Sequence, residues 1–138
     1  MSALMEMFTA TPQLGEDEKR RALKTLANDT WEERYQLSLE IDELNHEAHA
    51  KALRCFRLRG TDCKFDAAVA GGAQVLIAYQ AMDLIDRYVR FPIATKGGRA
   101  SRRSNLRKWR AMTRYCPPAV KEWEAREPKW LAALEAGA

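Results

Sequence analysis

The sequence predicts an all-α protein of about five helices, with a long second helix packed on a buried third. Three observations carry this. Apolar residues recur at three- and four-residue spacing, helix start and stop signals separate those stretches, and no run alternates as a strand does. At 138 residues the chain suits one domain with one core, large enough to fold alone yet small enough for an oligomer interface to matter. The expected division is an extended N-terminal arm over 1–14 and a helical domain over 15–138 that carries a basic face at 87–121.

The arm contains Leu4, Met5, Met7 and Phe8 before Thr11-Pro12, apolar side chains suited to docking on the body or on a second subunit. A first helix is expected from about Glu16 to Ala27, with Glu16, Asp17 and Glu18 where the macrodipole favours acids. Thr30-Trp31-Glu32-Glu33 has the capping-box form and should open the second helix, which meets no Gly or Pro until after Arg59. Along it, Leu37, Ile41, Leu44, Ala48, Cys55 and Leu58 make an apolar stripe.

Gly60-Thr61-Asp62 ends that helix, and a third is expected from about Phe65 to Arg90. It carries no charge from Ala67 to Met82 and is apolar most of the way round, which predicts a central helix or a subunit interface. Within it, Ala70-Gly71-Gly72-Ala73 either permits a close helix crossing or marks a later helix start. After Phe91-Pro92, Lys96-Gly97-Gly98-Arg99 reads as a flexible basic loop, with Ser101 or Ser104 capping a fourth helix. Pro117-Pro118 closes that helix and opens a tail whose apolar face is Val120, Trp123, Trp130, Leu131 and Leu134. Pro128 is expected to split the tail in two.

Charge is distributed unevenly. Residues 1–50 hold five bases and eleven acids, whereas 51–138 hold eighteen bases and eight acids. From Arg87 to Lys121 there are eleven Lys or Arg residues and no acid. On the expected fourth helix, Arg103, Arg107, Arg110 and Arg114 share a sector, a ridge about 16 Å long on a helix rising 1.5 Å per residue. Like charges so spaced repel unless an anion neutralises them. The segment therefore predicts phosphate contacts from Lys96, Arg99, Arg102, Arg103, Arg107, Lys108, Arg110 and Arg114, by backbone and shape rather than by base sequence. Tyr115 is a candidate to stack on a base, whereas Trp109 falls on the apolar side and reads as core. The partners expected are nucleic acid, DNA or RNA, and further copies of the chain or subunits of a larger assembly. The competing reading is an adaptor whose basic face meets acidic protein.

Other classes of function find less support. Glu43 and His46 have the Glu-x-x-His spacing of ferritin-like metal bundles, but the only histidines are His46 and His49, so such a site needs Asp83, Asp86 or a second copy to complete it. No cofactor is predicted. No nucleophile elbow, phosphate-cradling Gly loop or zinc signature is present, which predicts that the protein is not an enzyme. No helix-turn-helix spacing appears between Trp31 and Arg59. Cys55, Cys63 and Cys116, odd in number and without paired spacing, read as reduced thiols of a cytoplasmic protein. The N-terminus lacks a signal-peptide pattern, and 67–82 is too short and too interrupted to span a bilayer, so no membrane partner is expected. The profile resembles that of small accessory proteins of phages and other mobile elements.

Overall fold

A computed structural model describes residues 15–93 and 96–136, with the side chains of 23–29 left aside; the expected arm lies outside the described residues. Among them are five α-helices and no strand: α1 (Glu16–Asp29), α2 (Trp31–Leu58), α3 (Lys64–Tyr88), α4 (Lys96–Trp109) and α5 (Pro117–Ala136), with a 3-10 turn over Arg110–Thr113. The protein is an all-α helical bundle.

The α2/α3 hairpin is its main body. The predicted stripe of α2 is inside, with Leu37, Ile41, Ala48 and Cys55 buried, and α3 answers with Ala70, Ala78, Ala81, Met82 and Ile85. Small residues bring the two helices close. A Cβ added at Gly71 would stand 3.2 Å from the Cys55 Sγ, so the glycine is the close crossing, inside a helix that runs through it. The rest of the core comes from the second half of the chain. Trp109, Met112, Trp123, Trp130 and Leu134 are almost wholly buried around Ile85 and Tyr88.

Several expectations are corrected. No side-chain cap bond forms at Thr30, whose ψ of 2° keeps the backbone close to helical, so α2 follows α1 across one residue. α3 is not buried on most sides: Phe65, Val69 and Leu76 are 80%, 55% and 73% exposed. By length and composition it is the one described helix apolar enough to cross a membrane, although 33% of its apolar window is buried in the bundle. The basic loop at 96–99 is the first turn of α4. It is held there from inside, because the Arg102 guanidinium donates to the carbonyl oxygens of Phe91 and Pro92 at 2.6 and 3.0 Å and pins the helix to the preceding segment.

Pro128 does not split the tail, and α5 runs unbroken through it. A proline inside a helix removes one backbone hydrogen bond and costs about 3 kcal/mol, so other contacts must hold the two halves in register. Trp123 and Trp130, on either side of the proline, pack edge to face with ring centroids 4.8 Å apart. The Trp130 indole N–H donates to Asp86 on α3 at 2.6 Å. Arg126 adds bonds to Asp83, Asp86 and Glu122 at 2.8, 3.2 and 2.8 Å. Burial by itself pulls the Arg126 pKa down, but the bonds to Asp83 and Glu122 and the charge of Asp86 outweigh it and raise the pKa above its ordinary value.

Candidate nucleic-acid interface

Half of the expected phosphate contacts have partners inside the molecule. Arg103 is ion-paired with Glu135. Arg110 reaches Glu124 at 3.6 Å and Glu127 at 3.2 Å. Lys108 lies 3.0 Å from Asp42 and 5.8 Å from the centre of the Trp109 ring. Arg102 is 4% exposed, beneath the surface that a phosphate reaches. Burial, helped by the like charge of Arg34 and opposed by Tyr88, lowers its pKa to about 10. It is an anchor of the fold, and the expectation of a phosphate contact there is withdrawn.

The arginine ridge is thus half of a ladder. Glu124, Glu127 and Glu135 recur on α5 at spacings of three and eight, which keeps them on one side of that helix. α5 runs antiparallel to α4, so the early Arg103 meets the late Glu135 and the late Arg110 meets the early Glu124 and Glu127. Arg107 falls between these rungs along α4, and α5 carries no acid between Glu127 and Glu135. The ridge is also shorter than expected. α4 ends at Trp109, the next four residues form the 3-10 turn, and Arg114 leaves it with an extended ψ of 136°.

What remains is a set of cations with no described counter-charge. Among the described residues, no ion pair or side-chain hydrogen bond engages Arg87, Arg90, Lys96, Arg99, Arg107, Arg114 or Lys121. Of the eight expected contacts, Lys96, Arg99, Arg107 and Arg114 therefore keep an available charge.

Arg114 and Lys121 stand at the end of the bundle where α2 finishes, and there the structure adds a residue the charge census overlooked. Arg59, one residue past α2, donates to the Tyr115 carbonyl oxygen at 3.0 Å. Tyr115 has a φ of +65°, an uncommon conformation for a residue with a side chain. Its ring stacks on Phe56 at 4.4 Å between centroids. The loop is braced from inside by Gln74, fully buried on α3, whose amide donates to the carbonyl oxygens of Met112 and Arg114 at 2.8 and 2.9 Å. Beside Tyr115 lie two adjoining open clefts of about 370 and 420 Å³, sharing Arg59, Tyr115, Cys116 and Pro117 and walled by apolar groups. The signal missed in the sequence was the run from Lys51 to Lys64, which holds five bases and one acid.

The alternative metal reading gains no ligand set. Glu43 and His46 are both exposed on α2. Asp83 and Asp86, the carboxylates expected to join them, hold Arg126 and Trp130. Among the described residues no three His, Cys, Asp or Glu side chains are grouped for a metal ion.

Comparison of the chain with protein-family models, with curated proteins and with solved structures found no match to any of them.

Proposed function

We propose that the protein binds nucleic acid through its phosphate backbone, as a small non-enzymatic accessory protein. The observation that carries this reading is the uncompensated charge that survives folding. Seven of the eleven cations between Arg87 and Lys121 lack a partner among the described residues, although the bundle supplies acids to three others. A surface serving solubility alone mixes both signs. The contacts proposed are Lys96, Arg99, Arg107, Arg114 and Lys121, joined by Arg59. Each phosphate neutralised releases counterions, so binding should weaken steeply as salt rises. Fluorescence anisotropy with labelled single-stranded RNA, single-stranded DNA and duplex DNA at two salt concentrations tests the reading. Failure to bind any of the three at low salt would turn the assignment to the adaptor reading, in which the same cations meet acidic protein.

A second observation favours assembly of copies. Phe65, Val69, Gly72 and Leu76 recur at spacings of four, three and four, within a sector of about 60° at 100° per residue. The three large side chains are exposed, and a Cβ built at Gly72 meets nothing within 4 Å. Two copies of such a stripe laid antiparallel set Phe65 against Leu76 and Val69 against Gly72, a self-complementary contact of the kind a two-fold axis requires.

A further inference from the structure

We infer that the groove beside Tyr115 takes an unpaired nucleotide, so that the strand bound is single. The inference rests on the nucleic-acid reading and adds to it the class of ligand and the part of the ligand recognised. Two pairs of stacked aromatic rings stand partly exposed on the bundle, and their charge separates them. Trp31 and Tyr35, 5.1 Å apart and nearly parallel, have Glu32, Glu33 and Arg34 between them in sequence, a net acidic setting that disfavours a phosphate chain. Phe56 and Tyr115 stand instead among Arg59, Arg114 and Lys121. Phe56 is 50% exposed, and Tyr115 lines both clefts.

The groove has the two parts that an unpaired nucleotide requires. Its walls are apolar and aromatic, matched to the faces of a base, and its rim carries guanidinium and ammonium groups matched to phosphate. A duplex keeps its bases stacked inside and offers this groove only its backbone. The nearest uncompensated carboxylate along the chain is Asp66, beside Ala67 at the α3 end of the groove, and it sets the phosphate path toward Arg114 and Lys121. Beneath the groove, Gln74 contributes a separate sign of an incomplete site. Its amide nitrogen is satisfied, but its fully buried Oε1 has no donor, and this residue lines the smaller of the two clefts, between α3 and Pro118. Arg59 holds the Tyr115 carbonyl, Gln74 holds the carbonyl of the preceding Arg114, and Phe56 backs the ring, so the ring is positioned before a ligand arrives.

The test uses the full chain at low salt with three labelled probes: a 12-nucleotide oligo(dT), an abasic strand with the same number of phosphates, and a 12-base-pair duplex. The expected result is that oligo(dT) binds about tenfold more tightly than the abasic strand, the effect of stacking a base on an aromatic side chain. Tyr115→Gly should abolish that difference. Glycine accepts the positive φ, so the ring is removed without straining the loop. Tyr115→Phe should retain the difference, and Tyr35→Ala should leave it unchanged. Equal affinity for the oligo(dT) and abasic strands, or a difference that survives Tyr115→Gly, overturns the base slot while leaving phosphate binding intact. Absence of binding to all three probes overturns both readings.

Discussion

Arg103 on α4 and Glu135 on α5 form an ion pair, and that contact reverses the meaning of the ridge to which the arginine belongs. A row of like charges on one helix is unstable by itself; here the neutralising anions come from a helix some thirty residues further along the chain. The fourth helix is therefore basic along its sequence and only partly basic in space.

Removing the acidic rungs should tighten nucleic-acid binding. In the double variant Glu124→Gln and Glu135→Gln, Arg103 is released and Arg110 keeps only Glu127. Glu127 is left in place because it also accepts the Trp123 indole N–H at 2.8 Å. The pairs are partly exposed, and such pairs contribute up to about 1 kcal/mol each, so the melting temperature should fall by a few degrees at most. Affinity for single-stranded DNA should rise, and its log–log salt slope should steepen by about 0.7 for each phosphate gained. Unchanged affinity and slope would place the nucleic-acid path away from α4.

Arg102→Met should act on stability and not on binding. The guanidinium is 4% exposed and supplies two hydrogen bonds to carbonyl oxygens, besides lying 5.5 Å from the centre of the Tyr88 ring. Charge-assisted bonds of this kind are worth about 1.5–3 kcal/mol, less the relief of desolvation when the charge is removed. A net loss of about 1–2 kcal/mol in urea unfolding is expected, with affinity for DNA unchanged. Because the folded pKa of about 10 lies below the ordinary arginine value, the unfolded chain holds the proton more strongly. The burial penalty is therefore fully present below about pH 10 and is relieved as pH rises above it, so the gap between wild type and variant should widen there. Normal stability with reduced binding would restore Arg102 to the phosphate contacts.

The helices were legible in the sequence because apolar spacing and helix breakers are local signals, whereas the caps expected at Thr30 and at Ser101 or Ser104 do not form: Thr30 makes no side-chain cap bond, and both serines lie inside α4. Leu37, Ile41 and Ala48 are buried where the α2 stripe places them, and Trp109 is inside as its position on the wheel requires. Errors arose where a long-range contact overrode a local one. Pro128 breaks a helix in isolation, but Trp130 bonded to Asp86 keeps this one continuous. Lys96-Gly97-Gly98-Arg99 has the composition of a loop, yet the Arg102 clamp holds it in the helix. The candidate interface was legible only in part for the same reason. Charge counted along the chain cannot show that Glu135 reaches Arg103, or that Arg59 and Tyr115, fifty-six residues apart, meet at one groove.

Asp42→Ala should destabilise the protein while freeing a cation. The Asp42 carboxylate accepts the Trp109 indole N–H at 2.6 Å and pairs with Lys108. Trp109 is fully buried, so its N–H is left without an acceptor, at a cost of about 1–3 kcal/mol. Asp42→Asn keeps an acceptor oxygen and should recover most of that loss. Urea unfolding of the two variants checks the difference, and equal losses would show that the Lys108 ion pair, rather than the indole bond, is what Asp42 contributes.

Leu76→Lys should separate assembly from binding. Leu76 is 73% exposed and lies outside the core cluster, so a lysine there should leave unfolding of the bundle within about 0.5 kcal/mol, the range of ordinary surface substitutions. In the proposed antiparallel pairing, each lysine would be set against Phe65 of the other copy, and the two-fold axis would place the clash twice in every dimer. Sedimentation equilibrium at micromolar concentration should show wild type heavier than its 15.8 kDa monomer and the variant close to it. Affinity for a short oligonucleotide should not fall in the variant, because Leu76 is not among the residues lining the Tyr115 groove, and losing the contact at Gly72, which does line it, leaves the groove more open. A wild type that sediments as a monomer, or a Leu76→Lys variant that assembles as wild type does, would remove the α3 stripe as a contact between copies.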